Sequence, residues 1–387
     1  MISSRGPHGL QCLTFGLGAL ALLAGCGDRT DKAPTAAPGS PAASSTPAAT
    51  APVLQIRSET RTFRDWQASC GNDGNCWAFG FAPDFGAGWI RIALAPGPDA
   101  QPQISFGFWP DSDGPPARRL SLDVDGRVFP ASMSPDGTKE APIGVITGGD
   151  ARALIDALAQ GKSLTLRGGA NQAVSLNGAA ASLLWIDDKQ GRLDTSTALI
   201  RRGAKPSSTV PTAPPLPTVT LSSAVSQAGF GDTGQTVPDA LLNRSDVANC
   251  MKESVTPDVT DTVASARLDA NTELWAIPCG AGAYNITQAW FLTGPGGRDA
   301  RPVALVGTGG PGADPTTPDN TTINGAYDPK TRLLTAFPKG RGLGDCGTLQ
   351  TWGWTGRQFV LTKEQTMGEC AGVDLDYWPT TWRARTN

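Results

Sequence analysis

Apolar and polar residues alternate in short runs along most of this chain, and helical spacing is rare. Trp89-Ile90-Arg91-Ile92-Ala93-Leu94 and the segments 103–108 and 119–124 put apolar side chains on one face at a period of two, the signature of half-buried strands. Asp125-Gly126, ahead of Arg127-Val128-Phe129, predicts a tight hairpin. Helical spacing appears at Ala153, Leu154, Ala157 and Leu158, with Asp150 as the expected cap and Gly161 as the stop. Strands over 163–167 and 172–176 should follow, then a second helix from 178 to about 189.

Five prolines within 206–217 predict a stiff linker and a domain boundary. Beyond it, a helix over 238–249 with Pro in its first turn is expected. Strands are expected over 273–277, 286–292, 302–306, 333–337, 349–354 and 358–361, the last two joined by Thr355-Gly356-Arg357. The fold class is therefore mainly β, a β-rich α+β chain. An N-terminal β-sandwich-like domain with two helices covers 54–205, a Pro-rich linker 206–217, and a C-terminal antiparallel β domain 218–387. Composition agrees: 17% charged residues with 47 Gly and 32 Pro exclude coiled coils and favour strands and turns.

The N-terminus carries an address. Arg5 precedes an apolar run at 13–23, which at about 1.5 Å per residue is too short for a roughly 30 Å hydrocarbon core. It is read as the core of a removable signal over 1–25. Leu23-Ala24-Gly25-Cys26 resembles the bacterial lipobox, which implies cleavage before Cys26 and acylation of its Sγ. Gly27, not Asp, follows Cys26, and by the same resemblance implies an outer-membrane destination facing the periplasm. Segment 26–53, rich in Ala, Pro, Ser and Thr, is then a flexible tether between the lipid anchor and the folded part. A membrane partner through that anchor is expected.

Cysteine usage points to the same compartment. Beyond Cys12 and Cys26, six remain: Cys70, Cys76, Cys250, Cys279, Cys346 and Cys370, an even set suited to disulfides in an oxidising space. Cys70 and Cys76 flank a turn-forming Gly71-Asn72-Asp73-Gly74-Asn75. The other four allow three pairings, and proximity favours Cys250–Cys279 with Cys346–Cys370.

Two counts limit the chemistry. The single histidine, His8, lies in the signal, so the mature chain has no histidine for a triad, a metal site or a proton shuttle. The net charge of −3 comes without a basic cluster, so no nucleic-acid partner is expected.

Several blocks carry a resemblance. They are Phe63-Arg64-Asp65-Trp66 with Cys70 and Cys76; Ala198-Leu199 with Gly203; Gly282-Ala283-Tyr284-Asn285 after Cys279; and Lys339-Gly340-Arg341-Gly342-Leu343-Gly344-Asp345-Cys346-Gly347 before Trp352-Gly353-Trp354. Together they resemble domain-of-unknown-function family 1176 of Gram-negative envelope proteins, over about 54–385. The resemblance implies a compartment and no activity. The first half also resembles the invasion-associated locus B family of small envelope β-sandwich modules, although it lacks that family's second cysteine pair.

Candidate chemistry is sparse. Asp111-Ser112-Asp113-Gly114 and Asp123-Val124-Asp125-Gly126 lack the later ligands of a calcium loop and are read as turns, so no metal and no cofactor is expected. Asp187-Asp188 at a helix end is expected at the solvated surface. Trp66, Trp77, Trp275 and Trp290 are expected in the core. The loop 340–347 offers a candidate ligand site: four glycines allow converging N–H groups, Arg341 supplies a planar fork, Asp345 orients it, and Trp352 and Trp354 share one strand face as a wall. The opposing expectation is that Arg341 and Asp345 pair with each other. No catalytic residue is assigned. The functional expectation is a non-enzymatic lipoprotein that binds an envelope protein, glycan or other ligand; the alternative is a carboxylate-based hydrolase of cell-envelope glycan.

Overall fold

The computed structural model describes residues 52–387 apart from 84–87, 110–118, 139–140, 169–170, 255–256 and 313–315. Cys26, the signal, nearly all of the tether and Asp111–Gly114 lie outside the described residues. Residues Thr50–Asn387 group as one compact unit. The chain is mainly β, with antiparallel sheets and short helices.

The first half builds one ten-stranded antiparallel sheet. Its strands are β1 (Glu59–Phe63), β2 (Trp66–Cys70), β3 (Cys76–Phe81), β4 (Gly88–Leu94), β5 (Gln103–Phe108), β6 (Leu120–Val124), β7 (Arg127–Met133), β8 (Ile143–Ile146), β9 (Leu164–Arg167) and β10 (Gln172–Val174). The order is β1-β2-β3-β4-β5-β8-β7-β6-β9-β10. The far end curls back, so that Gly80 in β3 faces Val174 and Gly88 in β4 faces Leu166. The alternation read from the sequence sends Ile90, Ile92, Leu94, Ile104, Phe106, Leu120 and Leu122 into one core with Trp66. Asp125 (φ 50°) and Gly126 (φ 88°) turn β6 into β7, the positive φ pair of the favoured hairpin. Asp125 holds that turn by accepting from the N–H groups of Lys162 and Ser163, both at 2.9 Å.

Two helices close this core. α1 (Gly148–Gln160) ends at Gly161 as expected but begins earlier: Thr147, not Asp150, is its cap residue, and Asp150 sits in the first turn where a carboxylate suits the dipole. Its buried face is Ala151, Leu154, Ile155 and Leu158. α2 (Ala179–Lys189) buries Leu183, Trp185 and Ile186. Asp187 corrects its expected surface position. It is fully buried, because its carboxylate accepts from the N–H groups of Leu199 (2.6 Å), Ile200 (2.8 Å) and Arg201 (3.2 Å), tying the helix end to the returning chain.

The Pro-rich stretch 206–217 packs against the fold. Val210 is buried, and Thr212 donates to the Pro52 carbonyl and accepts from the Leu54 N–H. β11 (Thr218–Val219) pairs in parallel with the final residues Arg385–Thr386. The expected helix over 238–249 is two helices, α3 (Asp239–Leu242) and α4 (Ser245–Glu253). The break is at Arg244, held extended while its guanidinium forks onto Asp246, donates to Ala300 O (3.0 Å) and stacks on Phe291.

Two five-stranded antiparallel sheets complete the second half. One holds β12 (Ala264–Arg267), β13 (Glu273–Ala281), β14 (Ile286–Thr293) and β15 (Arg301–Pro302), with β16 (Thr321–Ile323) also paired to β14. The expected strand 302–306 is cut short because Leu305 turns its N–H to Asp319 O. The other holds β17 (Ala326–Asp328), β18 (Leu333–Ala336), β19 (Gly347–Trp354), β20 (Phe359–Met367) and β21 (Thr380–Arg383). Disulfides join Cys70 to Cys76, Cys250 to Cys279 and Cys346 to Cys370.

The two halves share an apolar seam. Trp77, Phe79, Trp89 and Ile143 of the first pack against Met367, Val373, Tyr377 and Trp378 of the second. Trp89 Nε1 donates to Gly372 O at 3.1 Å, and Asn72 and Arg383 exchange two hydrogen bonds at 2.8 Å.

Candidate functional site

The glycine-rich loop is a closed structure. Arg341 donates through Nε to Asp345 Oδ1 at 2.7 Å and through Nη2 to Oδ2 at 2.5 Å, and Oδ2 also accepts from the Gly372 N–H at 2.7 Å. The guanidinium also lies over the Trp109 ring, 5.3 Å from its centroid. Burial alone would push the Asp345 carboxyl up; the fork from Arg341 and the Gly372 N–H outweigh it and hold the group below the ordinary carboxylate range. Both sides of the fork are therefore spent within the protein. Trp352 and Trp354 do not wall this loop. They are core side chains, 2% and 1% exposed, packed with Leu334, Phe359 and Trp290. Trp352 Nε1 donates to Val306 O at 2.9 Å. Leu343 is the loop's exposed apolar side chain, and the neighbouring exposed Tyr284 donates its hydroxyl to Gly340 O.

An open site lies elsewhere, in a groove of about 570 Å³ between the two sheets of the second half. Its depth follows from side-chain size. Ala264, Ala276 and Trp290 stand side by side across β12, β13 and β14, and Ala266 pairs with Leu274 one step along. Alanines leave a trough beside the Trp290 ring. Tyr327 of β17 and Phe230, stacked under Arg267 at 4.9 Å, supply aromatic edges.

The polar lining is positioned by the fold. Gln227 donates to Arg267 O (2.8 Å) and accepts from Arg267 N–H (2.9 Å), locking the loop that carries Phe230 onto β12. Gln288 accepts from the Gly325 N–H at 2.9 Å. The Tyr327 hydroxyl accepts from Arg332 Nε at 3.0 Å, and burial pushes its pKa up. Arg332 is itself buried and anchored to Ser222 Oγ, Ser223 O and Leu268 O. Trp290 Nε1 donates to Thr322 Oγ1 at 2.7 Å, which fixes the ring plane.

Two carboxylates, Asp232 and Asp328, line the groove, and among the described lining residues there is no lysine or arginine. The Lys330 N–H and the Thr331 hydroxyl hold Asp328 below the usual carboxylate range, so it stays ionised at neutral pH. A general acid for glycoside cleavage needs the reverse shift. Among the described residues the carboxyl that burial pushes up is Asp187, enclosed behind α2 and engaged with three backbone N–H groups.

None of the groove residues stood out in the sequence except Trp290, read as core. The available signal was faint: small residues at a period of two, Ala264 and Ala266, facing Ala276 and Leu274.

Comparison with known proteins places the chain. It is 32% identical over 343 residues to the uncharacterized protein YpfG of Escherichia coli (strain K12), covering 84% of this chain and 93% of that protein. The crystal structure of invasion associated protein B from Bartonella henselae is similar to 35% of this chain and 99% of that one, at 19% identity and a TM-score of 0.28, a likeness too slight to build on. Residues 60–385 match the family described as protein of unknown function (DUF1176), and the chain belongs to that family.

Proposed function

We propose that this chain is a lipid-anchored envelope protein that binds a neutral, ring-bearing ligand, such as an envelope glycan, in the groove beside Trp290. The observation that carries the reading is the groove itself: a trough floored by alanines beside the 2%-exposed Trp290 ring, edged by Phe230 and Tyr327, with its amides and phenol held in place by protein partners. Aromatic faces suit the apolar faces of sugar rings, and fixed polar groups suit their hydroxyls. Two acidic side chains, with no lysine or arginine among the described lining residues, disfavour an anionic ligand. Asp328, held ionised, supports binding over acid catalysis.

Three disulfides support residence in an oxidising compartment. Acylation at Cys26 and an outer-membrane position facing the periplasm complete the proposal. The test is a groove-filling variant. Ala264→Trp should abolish binding of N-acetylglucosamine oligomers, used as the probe, while the melting midpoint is nearly retained. Unchanged binding by this variant would place the ligand elsewhere.

A further inference from the structure

A second polar cleft lies in the seam between the halves, and it contains an uncompensated cation. Arg91 sits at the middle of β4, on the sheet face opposite Ile90 and Ile92. The C-terminal segment covers that face, and the Tyr377 ring lies 5.5 Å from the guanidinium carbon. Among the described residues the Arg91 side chain has no ion-pair or hydrogen-bond partner, and its Nε is buried. Directly across the ladder, in β5, Ser105 is fully buried and its hydroxyl also lacks a partner. Registered cross-strand neighbours share a face, so two orphaned polar groups stand side by side.

Burial draws the Arg91 pKa down to about 10, with the Tyr377 hydroxyl opposing the shift. A buried guanidinium ordinarily has a carboxylate or carbonyls around it, as Arg192 has in this same fold with Gln190 Oε1, Ala95 O and Gly97 O. Arg91 faces open space instead, a cleft of about 450 Å³.

The other walls define the occupant. Asp136 and Asp376 line the same cleft. Asp136 Oδ2 accepts from the Tyr377 hydroxyl at 3.0 Å and from Ser134 Oγ at 3.0 Å, which fixes the carboxylate. Met133, Pro135 and Val145 add a short apolar side. A ligand with only negative charge would meet two carboxylates, and one with only positive charge would leave Arg91 unpaired.

We propose that this cleft binds a small amphoteric ligand, of the amino-acid or dipeptide class, with its carboxylate on the Arg91 fork and its ammonium toward Asp136 and Asp376. The site is separate from the Trp290 groove and does not depend on it.

Calorimetric titration of the purified full chain with alanyl-alanine tests the proposal. Binding is expected, and it should weaken about ten-fold or more when the probe is amidated at its carboxylate or acetylated at its amine. Arg91→Gln should abolish binding while the melting midpoint holds or rises, because the unpaired charge is gone. Arg91→Lys, which keeps the charge and loses the fork, should also bind far more weakly. Absence of binding to the wild type at millimolar probe overturns the proposal. So does equal binding of the blocked probes, tighter binding of inorganic phosphate, or an Arg91→Gln protein that melts several degrees lower and still binds.

Discussion

Arg341 and Asp345 form a two-point fork whose carboxylate is shared with the Gly372 N–H, so a single acid pins the glycine-rich loop both to itself and to the segment that packs on Trp89. The Asp345 side chain is 8% exposed, and removing it strands a guanidinium and an amide together. Asp345→Ala should therefore cost about 2 kcal/mol and lower the melting midpoint. Arg341→Lys should lower it less. A midpoint unchanged in both variants would show that the fork carries no stability.

The same pair predicts a pH dependence. The Asp345 carboxyl is depressed in the folded state, so its contribution is present above the unfolded carboxylate pKa and is lost as pH falls through the depressed folded value. Acid unfolding of the wild type and of Asp345→Asn should therefore converge at low pH and differ most near neutrality. A constant gap between the two curves would contradict this.

Asp187 offers the sharpest stability test in the first half. Its buried carboxylate, at the end of α2, satisfies the backbone N–H groups of Leu199, Ile200 and Arg201. Asp187→Ala should destabilise by more than about 3 kcal/mol, with the loss visible in near-ultraviolet circular dichroism of Trp185. A loss below 1 kcal/mol, about the size of a surface substitution, would mean that the chain near Leu199 relaxes freely.

The disulfides should rank by loop length. Cys346–Cys370 spans 24 residues and Cys70–Cys76 spans 6. Chain entropy gives about 3.5 and about 2 kcal/mol. Paired serine variants measured in denaturant should keep that order. Cys26→Ser should separately abolish lipid labelling and leave precursor unprocessed; normal labelling would mean the anchor is elsewhere.

In the first half β4, β5, β6, β7, β9 and β10 were legible from short runs and alternation, whereas β1, β2, β3 and β8 were not; β3 is buried along nearly its whole length and so carries no alternation. What covers the other face was not legible. In Trp89-Ile90-Arg91-Ile92 the arginine occupies the position of a solvated residue, yet Tyr377, 286 positions later, covers it. Likewise Trp352 and Trp354 were seen to share a face, but alternation cannot tell core from platform, and the opposing sheet makes that face core. The break at Arg244 depends on a carbonyl 56 residues away and the burial of Asp187 on amides 12 to 14 residues on, both beyond the reach of a helix or strand period. The groove escaped notice because its defining feature is missing volume: alanines where strands usually carry larger residues.

The most direct test of the central claim is one titration of the purified protein with N-acetylglucosamine oligomers, read by calorimetry and followed by mass spectrometry of the recovered ligand. Saturable binding, weakened in Tyr327→Ala, with the oligomers recovered intact is the predicted result. Shortened oligomers, or no heat of binding in the wild type, would contradict it.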